Sequence, residues 1–220
     1  MLRTIGVIVV IAIGTAASAL AQQPRSILTT TAGVASTSEA TSGAVNLDYG
    51  VTAWKNLVVF GGVGRLANIE PSLAQPAVDA TVTTLAATDV LVSGQPKTSA
   101  WYADGGVRLL IPAGPRVTPY VFTALGFGHT MPSARFTYQG TTGVTGGTTI
   151  AGEDATTDVQ SSGAFASPPG EWGAVMRVGG GILIPIHKTL AATVGYDFAR
   201  FNVATPVNVG SFNFGIGVHF

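Results

Sequence analysis

Large apolar residues alternate with small or polar residues in eight segments of this chain, with the period of two that marks a β-strand with one apolar face. The cleanest example is Val45–Val51, which places Val45, Leu47, Tyr49 and Val51 on one side of the strand. The other predicted strands are Ile27–Thr37, Leu57–Asn68, Trp101–Ile111, Val117–Thr130, Trp172–Ile184, Thr189–Asn202 and Val209–Phe220. The pattern predicts an all-β fold with an even number of strands.

The connections between these strands alternate between short and long. Trp54–Asn56, Pro112–Arg116 and Pro185–Lys188 are tight turns, whereas the predicted long loops run over Ile69–Ala100 and Met131–Glu171. In an up-and-down meander alternate connections lie at opposite ends, so the short turns collect at one end and the long loops at the other. Outer-membrane barrels show this asymmetry. A β-sandwich gives no reason for it.

The composition indicates that part of the surface faces a medium other than water. Charged residues make up 10% of the chain and the mean hydropathy is +0.42, whereas about a quarter of a soluble domain is charged. The formal net charge of +0 gives no reason to expect nucleic acid as a partner. The sequence contains no Cys, so the fold must be stable without disulfides.

Residues 1–21 have the basic, apolar and small-residue parts of a secretory signal, with cleavage expected after Ala21. The apolar run Ile5–Leu20 is shorter than the roughly 18 to 20 residues of a spanning helix, which argues against a membrane anchor. Residues 22–220 are then expected to form the exported barrel domain. A chain that crosses a membrane without helices must cross with strands.

Charged residues in the strands indicate which face points inward. Six of them fall on the less apolar face of their strands: Asp48, Arg65, Asp104, Arg108, Arg177 and Asp197. In the third strand, Val59 and Val63 share that face with Arg65. A basic residue facing lipid costs roughly 2 to 4 kcal/mol at the bilayer midplane. We therefore predict an eight-stranded antiparallel up-and-down transmembrane β-barrel with these six residues as a structural charge network in its lumen. The alternative is a soluble barrel with its apolar side chains inside, around a lipophilic ligand.

Aromatic residues favour the membrane-spanning alternative because they cluster near strand ends. The expected girdle at the short-turn end contains Trp54, Tyr120 and Phe220, and the girdle at the long-loop end contains Trp101, Trp172 and Phe198. The segment from Trp101 to Ile111, at about 3.3 Å per residue and a tilt near 40°, spans roughly 25 Å, which is the height of a lipid-facing band.

The last predicted strand continues to the final residue of the sequence. Its lipid-facing residues are expected to be Phe212, Phe214, Ile216, Val218 and Phe220, and it is expected to pair with the first strand and remove both sheet edges. This segment and the architecture resemble the small eight-stranded barrels of the bacterial outer membrane, the group of the OmpA transmembrane domain, OmpX and the opacity proteins. The resemblance implies a Gram-negative outer-membrane location, contact with lipid, and a final strand recognised by the barrel-assembly machinery. We expect no peptidoglycan-binding domain after Phe220 and therefore no cell-wall anchoring of that kind.

Candidate catalytic and ligand-binding residues are sparse. His129 lies near Thr130 and Ser133 at the external end of the fifth strand, but His129-Thr-Met-Pro-Ser133 does not match the close His-x-Ser arrangement of small lipid-deacylating barrels. Carboxylates in the two long loops fit no defined calcium motif: Asp79, Asp89, Glu153, Asp154 and Asp158. Glycine-rich stretches such as Gly61-Gly-Val-Gly64 are expected to relieve crowding inside a narrow barrel. We therefore expect no metal, no cofactor and no catalytic residue.

These expectations favour a non-enzymatic, structural or surface-contact role, with an unidentified ligand at the two long external loops. Eight strands enclose a lumen that side chains just fill, so a wide pore is not expected. Two alternatives remain open at this stage: a periplasmic soluble barrel that binds an apolar ligand, and a lipid-modifying enzyme that uses His129 at the rim.

Overall fold

The computed structural model describes residues 26–113 and 116–220, so the expected signal segment over residues 1–21 lies outside the described residues. The described residues form eight strands and two α-helices. The strands are β1 (Ser26–Ser36), β2 (Thr41–Trp54), β3 (Leu57–Leu66), β4 (Val92–Leu110), β5 (Thr118–Tyr138), β6 (Glu171–His187), β7 (Leu190–Asn202) and β8 (Val207–His219). The helices are α1 (Gln75–Ala86) and α2 (Thr156–Ser161), and a single 3₁₀ turn covers Pro71–Leu73.

The strands close into an antiparallel barrel in sequence order, which confirms the predicted fold class. Each strand pairs with its neighbours along the chain, and β1 pairs with β8 from Ile27 opposite His219 to Ser36 opposite Gly210. This closure leaves neither terminal strand with an open edge. None of the helices in the described ranges is long and apolar enough to cross a membrane.

Strands β4 and β5 are much longer than the sequence pattern predicts. Strand β4 begins at Val92 and β5 ends at Tyr138, so the long connections shrink to residues 67–91 and 139–170, and the predicted loop bounds are wrong. The extra residues pair with each other, from Val92 opposite Tyr138 to Ser99 opposite Met131. Apart from Met131, their outer face carries small, polar or charged residues such as Ser93, Gln95 and Lys97. The alternation of large apolar residues on the outer face therefore stops before the hairpin does.

The external part of this hairpin supports a hydrophobic core of its own. Its inner face packs against residues from both helices and their flanking loops in one buried cluster: Val78, Leu85, Val90, Val92, Ala134, Phe136, Tyr138, Ala155, Val159 and Phe165. Backbone hydrogen bonds from Ala155 to the Phe136 carbonyl and from Tyr138 to the Glu153 carbonyl cover the free edge of β5. We call this unit, formed by residues 67–99 and 131–170, the external domain.

The two faces of the barrel differ as the charge pattern predicts. Large apolar side chains point outward, among them Val45, Leu47, Val59, Val63, Val107, Leu109, Val121, Leu125, Phe127, Met176, Val178, Phe212, Phe214 and Ile216, each at least 40% exposed. Charged side chains are buried in the middle of the lumen. The external end of the lumen is closed by an apolar cluster around Tyr102, Phe201, Val207 and Val209, which the period-two pattern does not predict.

Candidate functional site

Arg177 lies at the centre of the buried charge network in the lumen. Its side chain is 2% exposed and approaches three carboxylates, with Nε 3.1 Å from Asp104 Oδ2, Nη2 3.7 Å from Asp48 Oδ1 and Nε 3.9 Å from Asp197 Oδ2. Nη1 also donates a hydrogen bond of 2.5 Å to Tyr102 Oη. Arg177 is on β6, whereas its partners come from β2, β4 and β7, so one side chain ties four strands together across the lumen.

Arg108 forms the second cationic centre of the network. It donates a hydrogen bond of 3.2 Å from Nη2 to Asp48 Oδ2. Its guanidinium carbon lies 5.1 Å from the centre of the Phe60 ring and 4.9 Å from that of Tyr120. Cation–π contact with these two rings supplements the single carboxylate partner.

Arg65 does not belong to this network, so its predicted lumen position is wrong. It is exposed on the outer face of β3, the same face as Val59 and Val63. Since side chains alternate along a strand, the apolar partners on its own strand fix its direction. The buried network consequently contains three carboxylates and two guanidiniums, with Asn213 donating a further hydrogen bond to Asp197.

Glycines leave the space that these side chains occupy. A Cβ atom on Gly62 would collide with Asp48 Oδ1, and one on Gly64 would collide with Asn46 Oδ1. The predicted role of the Gly61–Gly64 segment in relieving crowding is thus confirmed at these two positions. The residual lumen cavity beside the network has a volume of only about 30 Å³, which is room for a water molecule or two.

The lumen aromatics include one residue predicted for the girdle. Tyr120 is buried on the inner face of β5, where its Oη lies 3.2 Å from Thr193 Oγ1, so its assignment to the outer girdle is wrong. Tyr120 has the same parity along β5 as Phe122, and Phe60 and Tyr102 also point inward from their strands. Period-two counting places Tyr102 on the charged face of β4 with Asp104 and Arg108, and this signal could have identified its inward direction from the sequence. The inner faces of β3 and β5 carry no charged residue, so the same count does not identify Phe60, Tyr120 and Phe122.

The other five girdle candidates point outward. Trp54 and Phe220 are 78% and 71% exposed at the short-turn end, whereas Trp172 and Phe198 are exposed nearer the external end. Trp101 is half-buried because its ring meets that of Trp172 edge-on at 4.9 Å. On the terminal strand, Phe212, Phe214, Ile216 and Phe220 are exposed and Val218 is half-buried on the same outer face.

His129 does not form a catalytic arrangement with the neighbouring hydroxyl groups. Its ring packs on the outer surface, 4.8 Å from the ring of Trp172. Thr130 is buried on the opposite face, and Ser133 Oγ donates a hydrogen bond to the Lys97 carbonyl oxygen. Neither of these two hydroxyl groups is therefore placed as a nucleophile beside His129.

The carboxylates of the external domain have protein partners. Asp154 Oδ2 lies 3.0 Å from Arg135 Nη2, and Asp158 accepts a hydrogen bond of 2.9 Å from Tyr138 Oη. Hydrogen bonds from the Thr156 side chain and backbone lower the pKa of Asp154. No group of three or more potential metal-ligating side chains occurs within residues 26–113 and 116–220.

Two glutamates meet at the external rim. Glu39 Oε2 accepts a hydrogen bond from the Ser72 backbone N–H, and Ser72 Oγ donates one to Glu70 Oε1. Burial raises the pKa of Glu70, and its neighbour Glu39 raises it further. The hydrogen bond from Glu70 in turn lowers the pKa of Glu39. Hydrogen bonds through Ser72 thus connect the loop after β1 to the loop after β3.

Comparisons with known proteins identify the architecture. No protein-family model matches the chain, and no curated protein matches it significantly in sequence. Neisserial surface protein A has a similar structure, with a TM-score of 0.56 at 14% identity over 89% of this chain and 97% of that protein. A major outer membrane protein from Thermus thermophilus has a TM-score of 0.52 at 10% identity, over 89% of this chain and 99% of that protein. The chain therefore has the fold of the small eight-stranded outer-membrane β-barrels.

Proposed function

We propose that this protein is an outer-membrane barrel, exported with a cleaved signal peptide, whose external domain makes contacts at the cell surface without catalysing a reaction. The membrane location is supported by the two faces of the sheet. Large apolar side chains cover the outside, whereas Asp104 and Arg177 are buried at 0% and 2% side-chain exposure. Water would favour the reverse arrangement, because exposed apolar surface costs free energy in proportion to its area.

The proposed contact role depends on one observation: the long connections after β3 and β5 form ordered structure with a buried core. A surface contact formed by ordered loops loses less conformational entropy on binding than one formed by flexible loops. Here α1, α2 and the β4–β5 hairpin share one buried core, so their outer surfaces are held in fixed positions. Leu91 and Ile150 are 52% and 75% exposed on this domain. The domain can therefore present a rigid surface above the membrane.

The proposal includes assembly through the last strand. Next to the closure between β8 and β1, the outward side chains form a continuous apolar row: Phe212, Phe214, Ile216, Val218 and Phe220. We propose that the barrel-assembly machinery recognises this strand before it pairs with β1. Replacing Phe220 with Ser is expected to lower the folded fraction in cells, whereas refolding of the purified variant in detergent remains efficient. Equal loss in both settings would contradict a role in recognition.

The location is tested by fractionation and gel mobility. The protein is expected in the outer-membrane fraction, with different mobilities for unheated and boiled samples because a closed barrel resists detergent until heated. A protein that remains soluble without detergent after export would favour the periplasmic ligand-binding alternative and overturn the proposed location.

The contact role is tested by replacing residues 139–170 with a short Gly-Ser turn and comparing cells that produce either form at equal surface density. We expect the barrel to keep its heat-dependent mobility while cell–cell aggregation or binding to immobilised glycans and matrix proteins falls. If those contacts persist and only detergent sensitivity of the cells changes, the protein has a structural role in the envelope. A His129→Ala variant is expected to leave the acylation of membrane lipids unchanged; a change would favour the enzymatic alternative.

A further inference from the structure

A groove runs along the outer surface of the barrel across β2, β3 and β4. It has a volume of about 820 Å³ and its lining includes Val45, Leu47, Val63, Arg65 and Lys97. We call it the β2–β4 groove. It lies outside the lumen, and only its outer end, at Ala67 and Lys97, belongs to the external domain, so neither the charge network nor the proposed surface contact accounts for it.

The floor of the β2–β4 groove is apolar. Val45, Leu47 and Val63 are 55%, 42% and 52% exposed and follow the outer parity of their strands. Gly43 contributes to the depth of the groove, because a Cβ atom there would have no heavy atom within 4 Å. A surface of this kind suits a hydrocarbon chain, which gains from contact with apolar side chains and needs no hydrogen bond.

Two cations line the same groove, Arg65 beside its apolar floor and Lys97 at its external end. Arg65 pairs with Trp101 of β4 in the strand register, and Lys97 lies further along the outer face of β4, in its extension beyond the end of β3. Both side chains are exposed, and neither makes a salt bridge within the parts of the chain that the structure describes. The lumen cations Arg108 and Arg177, in contrast, are both paired with carboxylates.

We propose that the β2–β4 groove binds a phosphorylated lipid of the outer leaflet, with an acyl chain on the apolar floor and the phosphate between Arg65 and Lys97. The guanidinium offers a fork of donors to phosphate oxygens and the ammonium offers a compact charge. In the strand register Leu47 lies opposite Val63, Val45 lies opposite Arg65, and Lys97 lies beyond the end of β3. Along the groove from the barrel centre outward, the lining is therefore first apolar, then apolar beside Arg65, and finally cationic at Lys97, which matches the order of such a lipid from tail to headgroup. The inference rests on the membrane location proposed above.

The test uses the full mature chain reconstituted in nanodiscs of phosphatidylcholine that contain a small fraction of phosphatidic acid. Native mass spectrometry measures how strongly phosphatidic acid is enriched among the lipids that stay bound to the released barrel. The variants are Arg65→Gln, Lys97→Gln and the double variant. Arg200→Gln is the matched control, since Arg200 is also exposed on the outer face near the external end but lies outside the groove.

We expect the wild type to retain phosphatidic acid preferentially and each groove variant to lower the enrichment about fivefold, which corresponds to about 1 kcal/mol for one cation near a membrane surface. Arg200→Gln is expected to have no effect. Gly43→Leu, which fills the groove and keeps both cations, should also lower retention. Inorganic phosphate added in excess should not displace the lipid, because it cannot occupy the apolar floor.

Three outcomes would overturn the inference. If Arg65→Gln and Arg200→Gln lower the enrichment of phosphatidic acid equally, the lipid is attracted by the general positive charge of the surface and not by a site. Displacement by inorganic phosphate would show an anion site without a lipid. A barrel that inserts and shows heat-dependent mobility yet has no lipid preference would overturn the site alone, whereas failure to insert at all would overturn the proposed location together with the site.

Discussion

Removing the central guanidinium of the lumen should destabilise the barrel far more than removing a surface arginine. Arg177→Leu deletes ion contacts to Asp48, Asp104 and Asp197 and the hydrogen bond to Tyr102. It leaves three buried carboxylates with a single guanidinium. Breaking a buried pair by removing one partner costs about 3 to 5 kcal/mol, because the remaining charge keeps its desolvation penalty without compensation.

Arg135→Leu is the matched control for this experiment. Arg135 also makes an ion pair, but its side chain is 69% exposed and that of its partner Asp154 is 50% exposed. Solvent and salt screen such a pair, so its loss is expected to cost about 0 to 1 kcal/mol. The free energies of unfolding of the two variants should therefore differ by at least about 2 kcal/mol.

The assay compares both variants with the wild type in urea, after refolding in the same detergent, with gel mobility of unheated samples and tryptophan fluorescence as probes. Adding Asp104→Asn to Arg177→Leu removes one uncompensated carboxylate and should recover part of the lost stability, although Asp104→Asn alone destabilises. Equal unfolding free energies for Arg177→Leu and Arg135→Leu would refute the assignment of the charges to a buried lumen network.

Three further changes test other parts of the fold. Gly62→Ala should cost about 1 to 3 kcal/mol, because the added Cβ meets the Asp48 carboxylate, while Gly43→Ala, in open space, should be nearly neutral by the same urea assay. Phe136 is 0% exposed, so Phe136→Ala should destabilise the external domain by about 3 to 5 kcal/mol. Protease should then cleave the external domain faster, while the barrel keeps its heat-dependent gel mobility. Cleavage at the wild-type rate would contradict a shared core. Glu70→Gln should raise the melting temperature at neutral pH. The raised pKa of Glu70 means that its ionisation destabilises the folded state as the pH rises, so the difference between variant and wild type should vanish below the ordinary pKa of about 4.3. A difference that is constant at all pH values would contradict this reasoning.

The sequence predicts the barrel well because every second side chain along a barrel strand faces the same environment. One face points outward and the other into a narrow lumen, so parity alone separates Asp104 and Arg108 from Val107 and Leu109. The same rule, applied to Arg65, gives the correct outward direction from Val59 and Val63. The error came from placing the charge by its cost in lipid, although that cost falls toward the membrane surface.

The inward aromatics show a second limit of pattern reading. Aromatic residues near strand ends are typical of a girdle, but Tyr120 points inward, where its ring packs against Arg108. The choice between the two faces depends on which cation lies across the lumen, and that cation is on another strand. A one-dimensional pattern holds no information on this pairing.

The amino-acid sequence by itself determined the number of strands, their order, the apolar face that points outward and the end that carries the long connections, because each of these follows from local periodicity and connection length. Only the tertiary structure decided how far β4 and β5 rise beyond the barrel, and that α1 and α2 complete a core against them. It also decided that Arg177 gathers three carboxylates from different strands. The physical reason is that these features depend on contacts between residues far apart in the chain, whose free energy no local pattern records.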